Sequence, residues 1–179
     1  MSLPSSSSSP LSRPPLNIVL LEPEIPPNTG NIGRLCATTF TRLHLIEPLG
    51  FSINDRELKR AGMDYWKEVD WRLYPNWAEF LAVASDTCAA LGIAQPRLWF
   101  FTTKSPKTFW QADFQPGDYL VLGRESKGLP ESLLAENPER CIRIPQFNPQ
   151  ARSLNLGTAA GIGLFEAIRQ TQMHGTAID

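Results

Sequence analysis

Histidine is almost absent from this chain, and cysteine is sparse. Only His44 and His174 occur in 179 residues, one inside an apolar run and one in the tail. Neither lies in a segment that looks built for a ligand, which argues against a histidine general base. The three cysteines, Cys36, Cys88 and Cys141, are widely spaced, odd in number and form no C-x-x-C pair. That pattern points to reduced thiols in a cytosolic setting and away from a disulfide frame or a zinc site. No apolar run approaches the roughly 18 residues of a membrane span, so none is expected. An excess of basic charge is missing too: the formal net charge is −1, so an RNA partner would need a local basic patch. No Asp-x-Asp pair or other magnesium cluster is found, which argues against phosphoryl transfer. No G-x-G-x-x-G follows the first strand, which weakens a nicotinamide-dehydrogenase reading.

What is present is enough for one domain. The apolar fraction of 42% supports a single core. Residues 1–15 are rich in Ser and Pro and read as a disordered extension; 16–172 read as the domain and 173–179 as a tail. Asn17 to Leu21 is a short apolar run of the kind expected for a buried parallel strand. After Pro26-Pro27, Asn28 or Thr29 is placed to cap a helix whose face carries Ile32, Leu35, Cys36 and Phe40. Strands are expected at Leu43 to Ile46, Val69 to Leu73, Arg97 to Phe101, Tyr119 to Leu122 and Cys141 to Ile144. Between them come a short helix from Asn54 or Asp55 to Ala61 and a longer one begun by Asn76; a last helix runs from about Leu154 to Gln172. Strand and helix alternate with short connections, which makes an α/β fold with a mostly parallel sheet, flanked by helices, the default architecture.

In such sheets ligands sit outside the carboxyl ends of the strands. Three predicted strand ends carry unusual loops: Thr102-Thr103-Lys104 after Phe101, Gly123-Arg124-Glu125 after Leu122, and Pro145-Gln146 after Ile144. At Gly123 the missing Cβ would let a ligand approach backbone. Ser153 is placed to cap the last helix. Gly157, Gly161 and Gly163 lie inside that helix, each at roughly 1 kcal/mol relative to Ala. This stripe fits either a tight contact within the chain or a seam between two copies. Arg56, Lys59 and Arg60 share one face of the short helix, which fits a solvated face or a phosphate-contact patch, the latter joined by Lys67, Lys104 and Lys127.

Together, NTGNIGRLC (Asn28 to Cys36), LVLGRESKGLP (Leu120 to Pro130) and IRIPQFNPQARSLNLGTAAGIGLFEA (Ile142 to Ala167) resemble the three motifs of the SPOUT RNA methyltransferases. The match is nearest to the tRNA (cytidine/uridine) 2′-O-methyltransferases of the anticodon wobble nucleotide, and it runs from about Leu16 to Gln172. The resemblance implies a C-terminal trefoil knot, S-adenosyl-L-methionine as cofactor, tRNA as partner, a homodimer and a cytoplasmic location. It places Asn28, Arg34, Glu125 and Asn155 at the reacting centre, and Phe101, Gly123, Ile144, Ser153 and Leu154 around the cofactor. Arg34 would hold a phosphate or polarise the hydroxyl, since a guanidinium stays protonated. Two positions depart from the pattern: Arg124 stands where close relatives often have Pro, and Phe165 where the family often has Tyr. Another RNA as substrate, or binding without catalysis, stays open at this point.

Overall fold

The computed structural model describes residues 15–53, 64–148 and 150–173. Its first strand, β1 (Asn17–Leu21), is buried at all five positions, as a strand covered on both faces must be. Helix α1 (Pro26–Thr39) follows, then β2 (Arg42–Ile46), a 3-10 turn at Asp64–Glu68 and β3 (Trp71–Tyr74). Next come α2 (Trp77–Ala90), β4 (Leu98–Phe101), β5 (Tyr119–Leu122), α3 (Glu131–Glu136), β6 (Cys141–Ile142) and α4 (Leu156–Met173). The strands form one six-stranded sheet in the order β3-β2-β1-β5-β4-β6, and neighbouring strands pair parallel.

Alternation along the strands divides the core in two. Ile18, Leu20, Leu43, Leu45, Leu120 and Ile142 face α1 and α4, where Ile32, Cys36, Ala160 and Leu164 meet them. Val19, Leu21, Phe100 and Val121 face α2 and α3, meeting Phe80, Ala84, Cys88 and Leu133. The chain builds outward from β1 through β2 and β3, then crosses to β4 and inserts β5 beside β1. That reversal leaves a crevice at the carboxyl ends of the central strands.

Several boundaries differ from expectation. Helix α1 begins at Pro26, not after Asn28 or Thr29, because proline suits a first turn whose N–H groups lack helical partners. Phe40 does not join its apolar face: it ends the helix at φ 53° and is 84% exposed. Strand β3 starts at Trp71, although Val69 is still buried, and β6 stops at Ile142. Helix α2 is capped as expected: Asn76 Oδ1 accepts from the Glu79 N–H at 2.9 Å. The short basic helix expected before Ala61 falls outside the described residues. No helix among those described is long and apolar enough to cross a membrane.

Candidate functional site

A cavity of about 860 Å³ opens at the carboxyl ends of β4 and β5. Its apolar wall comprises Phe101, Leu122, Leu129, Leu134, Ile144 and Leu156. Polar groups of Thr102, Gln146, Ser153 and Glu125 complete it. All five candidate cofactor residues (Phe101, Gly123, Ile144, Ser153, Leu154) line this cavity, together with Asn28, Glu125 and Asn155.

Asn28, Glu125 and Asn155 come from three distant segments and form one hydrogen-bonded chain. The Asn155 amide donates to Asn28 Oδ1 at 2.8 Å, and the Asn28 amide donates to Glu125 Oε1 at 3.0 Å. Glu125 also accepts backbone N–H groups, from Glu24 at 2.8 Å and from Ile25 at 3.3 Å. Ile25 is the first-turn cap position of α1 and has no capping side chain of its own. The Glu125 carboxylate therefore holds the two N–H groups just before α1 from another loop and lies where the helix dipole favours negative charge. Within the first turn Pro26 and Pro27 have no N–H, and the Asn28 and Thr29 N–H groups reach the Ile25 carbonyl. At the other end of the chain, Asn155 Oδ1 accepts from the Gly157 and Thr158 N–H groups. Asn155, not Ser153, is thus the cap of α4, which starts two residues later than expected.

The loop after β1 and the loop after β5 are tied again on either side of Glu125. Arg124 pairs with Glu22, so the charge that departs from the family pattern is taken up locally. Ser126 donates to Glu24 from its backbone N–H (2.9 Å) and its hydroxyl (2.8 Å). The Ser126 hydroxyl, then its N–H, hold the Glu24 carboxyl below its ordinary range. Sequence reasoning missed Glu22, Glu24 and Ser126, because carboxylates one and three residues past a strand, and a serine in the facing loop, carry no motif of their own.

Gly123 is required for a different reason than ligand approach. A Cβ there would fall inside the backbone of Gly128 and Leu129, where the loop folds back on itself. The missing side chain makes room for the chain, and the cavity follows. In α4, a Cβ on Gly163 would lie 2.5 Å from the Phe101 ring, so this glycine seats the ring that forms the cavity's end. Gly157 packs toward Asn31 of α1, whereas Gly161 meets Leu35 only at an ordinary 4.0 Å. Within the chain, tight contact accounts for Gly157 and Gly163 and leaves Gly161 unaccounted for.

Arg34 is not among the cavity's lining residues; it lies on an exposed part of α1. Lys127 lines the cavity, Lys104 does so paired with Glu131, and Lys67 lies on an exposed 3-10 turn. Arg56, Lys59 and Arg60 lie outside the described residues, as does His174. His44 is buried away from the cavity. The Asn17 side-chain nitrogen donates to the Pro15 and Gly117 carbonyls, so its oxygen accepts from His44 Nε2 at 3.1 Å. His44 Nδ1 then accepts from the Tyr74 hydroxyl at 2.9 Å. Burial first, then Arg42 and Arg72, pull its pKa down to about 3, so the ring is neutral and structural. Among the described residues no group of three or more His, Cys, Asp or Glu side chains could hold a metal ion.

Comparison with known proteins fits this geometry. The chain is 47% identical over 164 residues to the tRNA (cytidine(34)-2′-O)-methyltransferase of Escherichia coli K12, covering 91% of this chain and 98% of that one. A solved structure described as giving insights into 2-OH methylation of C/U34 on tRNA superposes with a TM-score of 0.76 at 43% identity, covering 87% and 95% of the two chains. The SpoU methyltransferase AviRb of Streptomyces viridochromogenes, solved with the cofactor AdoMet, shares the fold at TM-score 0.77 and 22% identity, with 93% and 61% covered. The model of the SpoU rRNA methylase family matches residues 15–165, and with that span and these loops the chain belongs to this family.

Proposed function

We propose that this protein transfers a methyl group from S-adenosyl-L-methionine to the ribose 2′-hydroxyl of tRNA at wobble nucleotide 34, a cytidine or uridine. One observation carries the reading: the residues of three separated motifs close around a single cavity in a chain 47% identical to a tRNA (cytidine(34)-2′-O)-methyltransferase.

The cavity suits the cofactor. Its apolar wall of Phe101, Leu122, Leu129 and Ile144 matches a flat adenine, and its polar side carries Thr102, Gln146 and Ser153 for ribose and amino-acid groups. When bound, S-adenosyl-L-methionine supplies an electrophilic methyl carbon on a sulfonium. The chain's own contribution is alignment, the dominant requirement for an in-line displacement. Gly123 and Ile144 present backbone, Ser153 and Leu154 close the third side, and the Glu125–Asn28–Asn155 chain holds the three segments in register. The Arg34 guanidinium would serve the reacting nucleotide by polarising the hydroxyl or holding its phosphate.

The position of Arg34 outside its own chain's cavity supports a site shared between two copies. The homodimer seam would run along α4, where Ile162 (37%) and Phe165 (58%) are exposed beside Gly161. Phe165 contributes apolar surface to that seam in place of the hydroxyl that relatives often carry. Strand β6 lies outside β4 while α4 returns to the β1–β5 region; that path supports a trefoil knot in the C-terminal part. Arg56, Lys59 and Arg60 would supply phosphate contacts, and the enzyme would act in the cytoplasm. Mass analysis of nucleosides from tRNA of a deletion strain tests the activity: a 2′-O-methyl lost at nucleotide 34 is expected, and unchanged tRNA modification overturns it.

A further inference from the structure

Phe147 is 88% exposed, more than any other large apolar residue of the described chain. It follows Gln146, which lines the cavity, on the segment joining β6 to α4. A phenylalanine left in water forgoes most of the stabilisation that burial would bring, so its place calls for a reason outside the folded monomer. Arg152 lines the same mouth and forms no ion pair with any described residue. An unburied aromatic face and an uncommitted cation on one short segment match the two halves of a nucleotide, a flat base and a phosphate. Unpaired RNA bases are recognised mainly by stacking on aromatic side chains, whereas methyl transfer to ribose requires the target nucleotide to be brought to this mouth.

We propose that Phe147 is the stacking platform for the base of the nucleotide being methylated, with Arg152 facing its phosphate. The inference rests on the RNA-methyltransferase reading and adds a residue that positions the base. A stacking platform should be indifferent to the base's hydrogen-bonding edge. Phe147 would therefore serve cytidine and uridine alike, with discrimination against other positions left to the rest of the RNA surface.

The test uses the full-length protein and an anticodon stem-loop carrying the fluorescent cytidine analogue pyrrolo-cytidine at nucleotide 34. Methylation of unlabelled stem-loop by the parent protein is measured first, which tests the underlying activity independently. If Phe147 stacks on the base, the parent quenches the analogue's emission. Phe147→Ala and Phe147→Leu should lose that quenching and raise KM for RNA about tenfold, the scale of one stacked base. Phe147→Trp should keep both properties, and affinity for S-adenosylmethionine should stay within twofold in all three. Full quenching and unchanged KM in Phe147→Ala overturn the proposal. So does Phe147→Leu matching the parent, which would make the contact merely apolar. A shift of Phe147→Ala from dimer to monomer by light scattering also overturns it, assigning the ring to a subunit seam.

Discussion

The two sides of the cavity are built on opposite plans. On one side, residues 22–28 and 124–126 are laced by the Arg124–Glu22 pair, the bonds into Glu125 and the two Ser126 bonds to Glu24. On the other, the described residues between Pro145 and Leu154 show only local bonds: the Ala151 N–H to the Asn148 carbonyl and the Gln150 N–H to Asn148 Oδ1. Most of its side chains are exposed. The laced side supplies a fixed wall, which alignment of a small ligand demands. The open side has little holding it to the rest of the chain, as suits a surface that must accept an RNA loop.

The largest effect should come from breaking the laced side at its root. Gly123→Val forces the backbone of Gly128 and Leu129 to move, so the variant should lose roughly 4 kcal/mol or more of stability, and cofactor binding with it. Denaturant unfolding and calorimetry check this. A folded variant of parental stability would show that the loop can reopen.

Arg34 belongs to neither side, and its substitution should separate chemistry from structure. Arg34→Ala is expected to reduce single-turnover methylation by orders of magnitude while thermal stability and cofactor affinity stay nearly unchanged. Arg34→Lys should rescue poorly, since an ammonium lacks the guanidinium fork. Near-parental turnover at saturating tRNA would leave Arg34 a surface charge.

Glu125→Ala removes the acceptor of three donors, two of them backbone N–H groups at the start of α1. Roughly 2 kcal/mol of stability should be lost. Glu125→Gln keeps the shape but not the charge, so it should recover only part of this. Equal stability of Glu125→Ala and the parent in urea would show that the lacing is ornamental.

Acid should weaken the sheet before it undoes the lacing. The folded pKa of His44, about 3, lies below its ordinary 6.5, so unfolding takes up a proton as pH falls. His44 therefore costs stability progressively from about pH 6.5 down toward 3, at up to roughly 1.4 kcal/mol per pH unit. Glu24 acts in the same direction but at lower pH: its lowered pKa contributes stability that is complete above its ordinary 4.5 and is lost as pH falls below that through the lowered one. Between pH 7 and 5, urea midpoints should drop while amide exchange near Ser126 stays slow. A flat urea midpoint over that range would contradict the neutral His44. The smallest effect belongs to the open side: Asn148→Ala should change stability by less than about 0.5 kcal/mol.

The sequence made the strands legible because β1, β2 and β5 are apolar runs set off by Pro, Gly or charge, a pattern that local composition records. It also made part of the cavity's membership legible, since Thr102, Gly123 and Gln146 follow expected strands whose ends must converge in a parallel sheet, whereas Ser153 and Leu154 came only with the family resemblance. The helix starts were less legible. Asn28 looks like a cap, but the N-cap position is Ile25, whose N–H reaches a carboxylate 100 residues away, and no local signal records such a partner. Ser153 is the expected cap of α4 and Asn155 the actual one, because both residue types suit the role and only geometry separates them. At Gly123 the sequence records the strand end but not the second neighbour, because the return of the chain at Gly128 is a tertiary event.

The long-range tie at the start of α1 also sets an order in time. Glu24 and Glu125 are separated by 101 positions, and Asn28 and Asn155 by 127. On a ribosome adding roughly 5–20 residues per second, the first turn of α1 leaves the tunnel roughly 5–20 s before the carboxylate that completes it. Until then the backbone N–H groups of Glu24 and Ile25, just before α1, lack the carboxylate that accepts them in the folded chain, so the entry to the helix is not yet fixed. The cavity is consequently a late product of synthesis, closed only after the last segment has been delivered.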